Sequence, residues 1–420
     1  MNEFLKKVTD NAYSFSIIAK ILSIATGFVY SVLYSRYLGA ELRGTASVIN
    51  NYAEMIMLVL CFGIYQAYPY YKKKTGEARY SEFIDKVFGL FFLYSAIVCM
   101  LIAAVRPAIN VCVISILIPL QMAIRQLNYV VLIENPKLRN LAQIWLDLFD
   151  VAFLAVLMLF TTANYLYCVA FLIIKNIVFF VIAVANLKIP VLSIRPTLKG
   201  IMPYIKYGFV PMITIILMEV NYKVDVLMLE RLGISNADIG VYSLGVMLAQ
   251  KLWMIPDALK DILTSKLAGG KTKDEVCKVT RISFCVTVIS VIGMVMLGRP
   301  FIVLLFGSEY SDAYQVLLVI VLGVLGMVFY KMIYAFNVVN GRKNINFLLL
   351  AIAAAANIVL NFALIPVWGI MGAAFASMVS YCVCGIGFLM DFTRHTHMPV
   401  SKLIWVEKKD IQQLMRYIRK

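Results

Sequence analysis

Charged side chains lie within the long apolar stretches of this 420-residue chain, and the types of ten of them limit the chemistry they could perform. Five of them are cations: Lys20, Arg125, Lys175, Lys251 and Lys331. An ammonium group binds phosphate as a point charge, whereas a guanidinium group binds it as a bidentate fork. The other five are acids, which can bind sugar hydroxyl groups, cations or protons: Glu54, Asp147, Asp150, Glu219 and Asp225.

The five cations need polar surroundings because a lysine or arginine at the centre of a membrane helix costs about 2.5–3.5 kcal/mol. Lys175 and Lys251 lie near the middle of their stretches, so we expect them to line a polar interior, with a buried ion pair as the alternative. Arg125 and Lys331 lie nearer the stretch ends, where snorkelling to the interface is the alternative. Lys20 lies at an intermediate position, between the middle and the end of its stretch. We expect all five to contact an anionic substrate.

The acids have separate expectations. Glu219 and Lys223 are four residues apart, a spacing that predicts an ion pair on one helix face. Asp225 follows near the end of the same stretch, within reach of Lys223. Glu54 lies midway along its stretch and is the candidate for an isolated proton site. We expect Glu54, Asp150, Glu219 and Asp225 to provide coupling or sugar contacts.

Twelve apolar stretches carry these charges, and about 20 apolar residues suffice for a helix to cross the hydrocarbon core. Hydrophobic residues make up 62% of the chain and its mean hydropathy is +0.85, far above soluble proteins, where about 45–50% is usual. The predicted spans are 12–34, 44–65, 87–105, 108–133, 141–161, 165–187, 205–225, 240–259, 282–298, 314–339, 347–367 and 370–391. The fold class predicted is an all-α polytopic membrane protein with 12 transmembrane helices.

The loops between the spans alternate in charge, which predicts the orientation. Most of the 39 lysines and arginines fall on one side. The other side holds six: Arg36, Arg43, Arg106, Lys223, Arg231 and Arg299. The positive-inside rule therefore places both termini in the cytoplasm. The net charge of +16 then reflects loops beside anionic lipid headgroups and not a nucleic-acid site.

A short internal repeat predicts two halves of parallel topology. Residues 36–39 (RYLG) precede 44–47 (GTAS), and residues 231–233 (RLG) precede 240–243 (GVYS), six spans later. We expect an N-terminal six-helix bundle, a cytoplasmic linker, a C-terminal six-helix bundle and a cytoplasmic tail at 1–187, 188–204, 205–391 and 392–420. The tail is either an amphipathic helix on the inner leaflet or a solvated end.

Five segments resemble the polysaccharide flippases of the multidrug/oligosaccharidyl-lipid/polysaccharide (MOP) exporter superfamily, in order along the whole chain. They are 38–44 (LGAELRG), 224–225 (VD) with 240–243 (GVYS), 305–310 (LFGSEY), 338–344 (VVNGRKN) and 361–374 (NFALIPVWGIMGAA). The resemblance implies a Wzx-type flippase, working by alternating access, that carries undecaprenyl-diphosphate-linked oligosaccharide across the bacterial inner membrane for O-antigen, lipopolysaccharide or related surface polysaccharide. The implied partners are that lipid, membrane lipids and other polysaccharide-assembly membrane proteins, with no nucleic acid.

Other function classes fit less well. A lipid II or multidrug exporter of the same superfamily stays open as the main alternative. A polysaccharide polymerase predicts a large outward loop, and a membrane acyltransferase predicts a histidine within a span. The predicted outward loops are short, and His395 and His397 both follow the last span, so neither feature occurs. Cys382 and Cys384 point to different helix faces, and no P-loop is present. We expect no catalytic residues, metal site or cofactor; the oligomeric state is left open.

Overall fold

The computed structural model describes residues 12–75, 80–187, 194–268, 273–405 and 407; the side chains at 12–21, 73–75, 80–81, 186, 262, 265 and 268 lie outside that description. Every regular element within these ranges is helical. The helices are α1 (Ala12–Leu60), α2 (Ile64–Thr75), α3 (Tyr80–Val105), α4 (Ile109–Glu134), α5 (Pro136–Phe160), α6 (Tyr165–Asn186), α7 (Met202–Arg231), α8 (Asn236–Lys251), α9 (Met254–Ala268), α10 (Lys273–Phe306), α11 (Ala313–Val339), α12 (Lys343–Thr396) and α13 (Ser401–Ile404).

Two of these helices, α1 and α12, each cover two predicted spans, although the predicted span 44–65 is wrong as a single helix because α1 ends at Leu60. Each is interrupted at a glycine with non-helical angles, Gly39 (φ 69°, ψ 176°) and Gly369 (φ 54°, ψ −132°). A residue with a Cβ atom is strained at such positive φ values, so glycine permits the turn. Pro366 lies three residues before the second interruption. Both turns fall between the spans that the sequence predicts.

The predicted span at 240–259 is wrong as a single helix, because α8 and α9 are bent by 41° at Leu252 and Trp253. A proline ring excludes the helical carbonyl four residues before it, which for Pro256 is that of Leu252. The amides of Leu252 and Trp253 instead bond three residues back, to Ala249 and Gln250. The bend is therefore encoded by Pro256.

A second bend, of 47°, separates α1 from α2 at residues 61–63. Gly63 has a φ of +63° and lies directly against the backbone of Gly208 in α7, leaving no room for a Cβ atom on either residue. Beyond the bend, Tyr70 of α2 stacks on Tyr207 of α7 with ring centroids 4.5 Å apart. The direction of α2 is therefore set by its contact with α7.

Among the residues that the structure describes, seven helices are long and apolar enough to cross a membrane, and up to nine elements qualify if each bent pair is one span. We divide α1 and α12 at their glycines and add α7, which is not among these elements. The result is one helix or bent pair for each predicted span. The chain is thus an all-α polytopic membrane protein, as predicted. The cytoplasmic location of both termini stays a prediction, and the tail residues 408–420 lie outside the described residues.

The chain forms two compact units, Met1–Ile216 and Leu217–Lys420. In the first, α1, α4 and α2 contribute fully buried residues such as Ala53, Leu117 and Ile64. In the second, α11 is the most buried span, and its Gly326 lies directly against Gly385 of α12. The predicted boundaries of the two bundles, linker and tail stay predictions.

The internal repeat has a matching backbone feature in each unit. Gly39 and Gly233 end the first part of the repeat, RYLG at 36–39 and RLG at 231–233. Their φ values are 69° and 81°. Both precede the next helical segment of their unit, which carries the second part of the motif. The repeated glycines therefore perform the same task, a tight turn that other residues rarely adopt.

Candidate functional site

Glu54 and Arg125 form an ion pair between α1 and α4 in the first unit, with 3.7 Å between carboxylate and guanidinium. The guanidinium also lies 5.9 Å from the ring centroid of Tyr65. Glu54 was expected to be isolated, which is wrong because Arg125 lies within ion-pair distance of it, and its role as a proton site stays a prediction. About a third of each side chain is exposed, so the pair remains accessible to a ligand.

Lys175 of α6 forms the other ion pair in this unit between predicted site residues, with Asp150 of α5 at 2.5 Å. Only 20% of the lysine side chain and 12% of the aspartate side chain are exposed. A buried ion pair was the alternative to a position lining the polar interior that the sequence left open for Lys175. One turn earlier, Asp147 accepts hydrogen bonds from Ser23 and from Gln143 (2.6 Å). The acids of α5 therefore face neighbouring helices and not lipid.

Glu219 and Lys223 form the predicted ion pair along α7, at 3.0 Å. Asp225, two residues further on, is in a different environment, since only 1% of it is exposed. Its carboxylate accepts hydrogen bonds from Tyr242 (2.7 Å), Asn361 (2.7 Å) and Ser377. These donors come from α8 and from both halves of α12, so four helical segments meet at this carboxylate.

The hydrogen-bond partners of Asp225 are all neutral. Polar side-chain atoms without a hydrogen-bond partner lie on nearby asparagines. Asn361 also donates to Asn357 (2.9 Å), and Asn221 accepts a hydrogen bond from Ser380. Within the described residues, Nδ2 of Asn221, Nδ2 of Asn357 and Oδ1 of Asn361 have no partner. A buried carboxylate without a cationic partner favours binding of a proton or a small cation. Sequence reasoning missed these amides, although Asn357 and Asn361 are one turn apart in an otherwise apolar span.

Lys331 of α11 lies beside the bend between α8 and α9. Its amine donates to Asp257 Oδ1 at 2.7 Å and lies 4.8 Å from the ring centroid of Trp253. Lys260 approaches the same carboxylate oxygen at 3.6 Å. Lys331 is therefore ion-paired and largely buried, at 8% exposure of its side chain, and does not snorkel to the interface.

Two of the predicted cations remain. Lys251 occupies the last turn of α8, is half-buried, and has no hydrogen-bond or ion-pair partner among the residues the structure describes. A cation there is favoured by the carbonyl groups at the helix end. Lys20 lies on α1, but its side chain is outside the described part of the chain. Contacts of the nine candidate residues with a substrate stay predictions.

The comparisons with known proteins agree with this architecture. The sequence model of a family described as the lipid II flippase MurJ matches residues 264–415. No curated protein sequence matches the chain. Among solved structures, a lipid II flippase MurJ in an inward closed conformation is 16% identical, with a TM-score of 0.72 over 92% of this chain and 88% of that chain.

Two other solved structures share the fold. An inward-facing multidrug resistance MATE family transporter of the MOP superfamily is 13% identical, with a TM-score of 0.65 over 91% of this chain and 98% of that one. A MOP superfamily transporter from Pyrococcus furiosus is 12% identical, with a TM-score of 0.60 over 93% and 96%. The chain thus has the fold of these MOP-superfamily transporters. The narrower Wzx-type assignment stays a prediction.

Proposed function

We propose that this protein is a flippase for a saccharide linked through diphosphate to a polyprenyl chain, and that it acts in the bacterial cytoplasmic membrane. The observation that carries the proposal is the match of residues 264–415 to the lipid II flippase family. It favours lipid II as the particular substrate, whereas the sequence segments that resemble polysaccharide flippases favour an O-antigen or capsule repeat unit. Both substrates contain undecaprenyl diphosphate and a hydrated sugar headgroup.

The interior charges support this substrate class. A diphosphate and a sugar headgroup cannot cross about 30 Å of hydrocarbon unaided, so they need a polar path while the polyprenyl tail stays in lipid. Arg125, Lys175, Lys251 and Lys331 supply cations along the spans, and Lys20 adds another on α1. The acids that now neutralise three of them keep the charges tolerable in the membrane until an anionic headgroup arrives.

An ion gradient is the proposed energy source, and Asp225 is the proposed coupling group. Its carboxylate is fully buried and contacts only neutral donors. Protonation or binding of a monovalent cation would neutralise it and change the hydrogen bonds that join α7, α8 and α12. The sequence contains no P-loop, which agrees with an ion gradient as the energy source. The proposed transport mechanism is alternating access, with no catalytic step.

The decisive test uses purified protein in liposomes that contain fluorescent lipid II or an undecaprenyl-diphosphate-linked oligosaccharide. Flipping is measured as the fraction of headgroup that becomes accessible to a membrane-impermeant quencher. We expect flipping of at least one of these lipids and none of a phosphatidylglycerol carrying the same fluorophore. No flipping of either saccharide lipid, together with export of cationic drugs, would replace the proposal by a multidrug exporter.

In cells, depletion of the protein should cause the flipped lipid to accumulate on the cytoplasmic face. Accumulation of lipid II with loss of peptidoglycan synthesis identifies the first substrate. Accumulation of a repeat-unit lipid with loss of surface polysaccharide identifies the second, and it would make polysaccharide-assembly membrane proteins the expected partners. If neither pool changes, the flippase proposal fails.

A further inference from the structure

The described part of the predicted linker is held against α3 in the first unit. The amide N–H of Arg195 donates to Asp85 Oδ1 at 2.8 Å, and that of Thr197 donates to the backbone oxygen of Asp85 at 3.1 Å. Thr197 also lies directly against Gly89, where an added Cβ atom would be 2.7 Å from the Thr197 carbonyl oxygen. The exposed side chains of Arg195 and Lys199 therefore extend from a backbone that is fixed by these contacts.

The linker and the first turn of α7 carry only positive charge. Residues 188–206 contain four cations and no acid. Three of the cations, Arg195, Lys199 and Lys206, are exposed and form no ion pair within the residues that the structure describes. The anionic lipids of the cytoplasmic leaflet attract lysines and arginines that lie just outside a membrane span. This stretch is on the predicted cytoplasmic side, so its charge is complementary to that leaflet.

An exposed pair of aromatic rings adjoins the last of these cations. Tyr207 follows Lys206 and stacks on Tyr70 of α2, with 4.5 Å between the ring centroids and 20° between the ring planes. The two tyrosines are 43% and 42% exposed, and neither hydroxyl group has a hydrogen-bond partner in the described ranges of the chain. Tyrosine is enriched at the boundary between acyl chains and headgroups, because its ring is apolar and its hydroxyl group is polar. The pair is therefore suited to contact a lipid at that boundary.

The exposed side chains change from charged to apolar at the same level on two helices. On α7, Phe209 and Val210 are exposed and follow Lys206 by three and four residues, so they lie one turn further along the same face. On α3, Phe92 is exposed one turn beyond the contact with the linker. A lipid on this surface would have its phosphate level with Lys206 and an acyl chain against Phe209 and Val210.

We propose that Arg195, Lys199, Lys206, Tyr70 and Tyr207, here called the linker surface, bind an inner-leaflet phospholipid whose headgroup carries a net negative charge. The cations bind the phosphate, and the two tyrosines contact the lipid where its headgroup meets the acyl chains. These residues belong to the linker, α7 and α2, so one bound phospholipid contacts all three elements and restrains α2 against α7. This phospholipid remains in the inner leaflet and is not the transported lipid, so the proposal goes beyond the flippase function and does not depend on it.

The test places a fluorescent reporter beside the acyl chains of the bound lipid in the full-length protein. The four native tryptophans are replaced by phenylalanine, and Phe209→Trp supplies the reporter. Nanodiscs contain mixtures of phosphatidylglycerol and phosphatidylcholine with bromine on the acyl chains of one of them, because bromine quenches only an adjacent indole ring. We expect phosphatidylglycerol to bind at the reporter about tenfold more strongly than phosphatidylcholine, and this preference to decrease with added salt. If the tryptophan-free background does not fold, native mass spectrometry of the unaltered chain compares the retention of the two phospholipids instead.

Two variants and a matched control locate the binding. Lys206→Gln should lower the preference for phosphatidylglycerol about fivefold, because one cation is lost. Lys343→Gln is the control, since Lys343 is also exposed on the predicted cytoplasmic side and should leave the preference unchanged. Asp85→Ala removes the acceptor that holds Arg195 and also removes a negative charge. The linker surface predicts a weaker preference for this variant, whereas net charge alone predicts a stronger one.

Three results would overturn the proposal. The first is equal binding of the two phospholipids, and the second is an unchanged preference in Lys206→Gln or a stronger one in Asp85→Ala. The third is complete displacement of brominated phosphatidylglycerol by an equal mole fraction of undecaprenyl phosphate, which would assign the surface to a polyprenyl lipid. A preference that is lost in Lys206→Gln, reduced in Asp85→Ala and retained in Lys343→Gln would support the phospholipid site.

Discussion

Most charged residues within the spans meet an opposite charge or several neutral donors. Arg125, Lys175 and Lys331 each meet a carboxylate from another helix. A lone charge in the hydrocarbon core is costly, and an opposite charge beside it offsets part of that cost. The sequence predicted these cations as intramembrane charges but not their partners. Pairing depends on how helices pack, and spacing along a single helix carries no information about it.

The Asp150–Lys175 pair gives a prediction about stability. Lys175→Met leaves a largely buried carboxylate unpaired, so it should reduce the free energy of unfolding by about 1–3 kcal/mol. Lys175→Met with Asp150→Leu should recover most of that loss. The measurement is the midpoint of thermal unfolding in one detergent, with Lys266→Met as the control. A double variant as unstable as Lys175→Met would show that the pair does not explain the loss.

Asp225 gives a prediction about coupling. Asp225→Asn keeps the size of the side chain but can no longer change its charge, so flipping in liposomes should become independent of an imposed ion gradient. Ser377→Ala, which removes one donor and leaves the carboxylate, should retain the dependence at a lower rate. Separate proton and sodium gradients identify the ion. Gradient-dependent flipping by Asp225→Asn would exclude this carboxylate as the coupling group.

The packing of α11 against α12 depends on a pair of glycines. Gly326 and Gly385 bring the two backbones into contact, and the space for a Cβ atom on Gly385 is occupied by the backbone of Gly326. Membrane helices lack a hydrophobic force between them and associate through such close packing. The most buried span of the second unit is thus held by backbone contact, and the side chains near Asp225 and Lys331 depend on that contact.

Gly385→Ala should therefore destabilise the protein by about 1–3 kcal/mol, because rigid backbone occupies the space required. Gly293→Ala on α10 is the matched control, since a Cβ atom added there would have no other atom within 4 Å. Alanine should be neutral there or stabilise by up to about 1 kcal/mol, through helix propensity. Thermal unfolding midpoints compare the two variants. Equal midpoints would contradict the role of the glycine contact.

The helices themselves were largely predictable from the sequence, because apolar length is a local property. The glycine turns within α1 and α12 also fell between predicted spans. The residues on both sides of the bend between α8 and α9 were predicted as one span, 240–259, because many membrane helices continue through a proline such as Pro256, with or without a kink. The amides around Asp225 were missed for another reason: they lie far apart along the chain, and only the packing of α7, α8 and α12 brings them together.

At the scale of the molecule, the alternation of basic loops predicts which ends of the helices face the cytoplasm. Ala108 and Pro136 lie at opposite ends of α4, and both are exposed. In a variant without the eight native cysteines, Ala108→Cys should react with a membrane-impermeant maleimide in intact cells. Pro136→Cys should react only after the membrane is permeabilised. The reverse pattern would invert the topology and move both termini outside.

One backbone feature agrees with the predicted duplication, which stays a prediction. Gly39 and Gly233 end matching motifs and adopt matching positive φ values, so a sequence repeat of a few residues reported a real backbone feature. The substrate was not predictable to the same depth. The fold is shared by proteins described as a lipid II flippase and as a multidrug resistance transporter, so the fold alone does not specify the substrate.

Because Gly63 and Gly208 are in contact at the bend, a small change in their separation would rotate the whole of α2 about that point, the fulcrum. The helix has 12 residues and is about 18 Å long, so a tilt of about 10° at the fulcrum displaces its far end by about 3 Å. A single methyl group added at Gly208 would act as a wedge at the fulcrum. The largest displacement would then appear not at the substitution but at the end of α2 near Thr75, beyond the ring contact between Tyr70 and Tyr207.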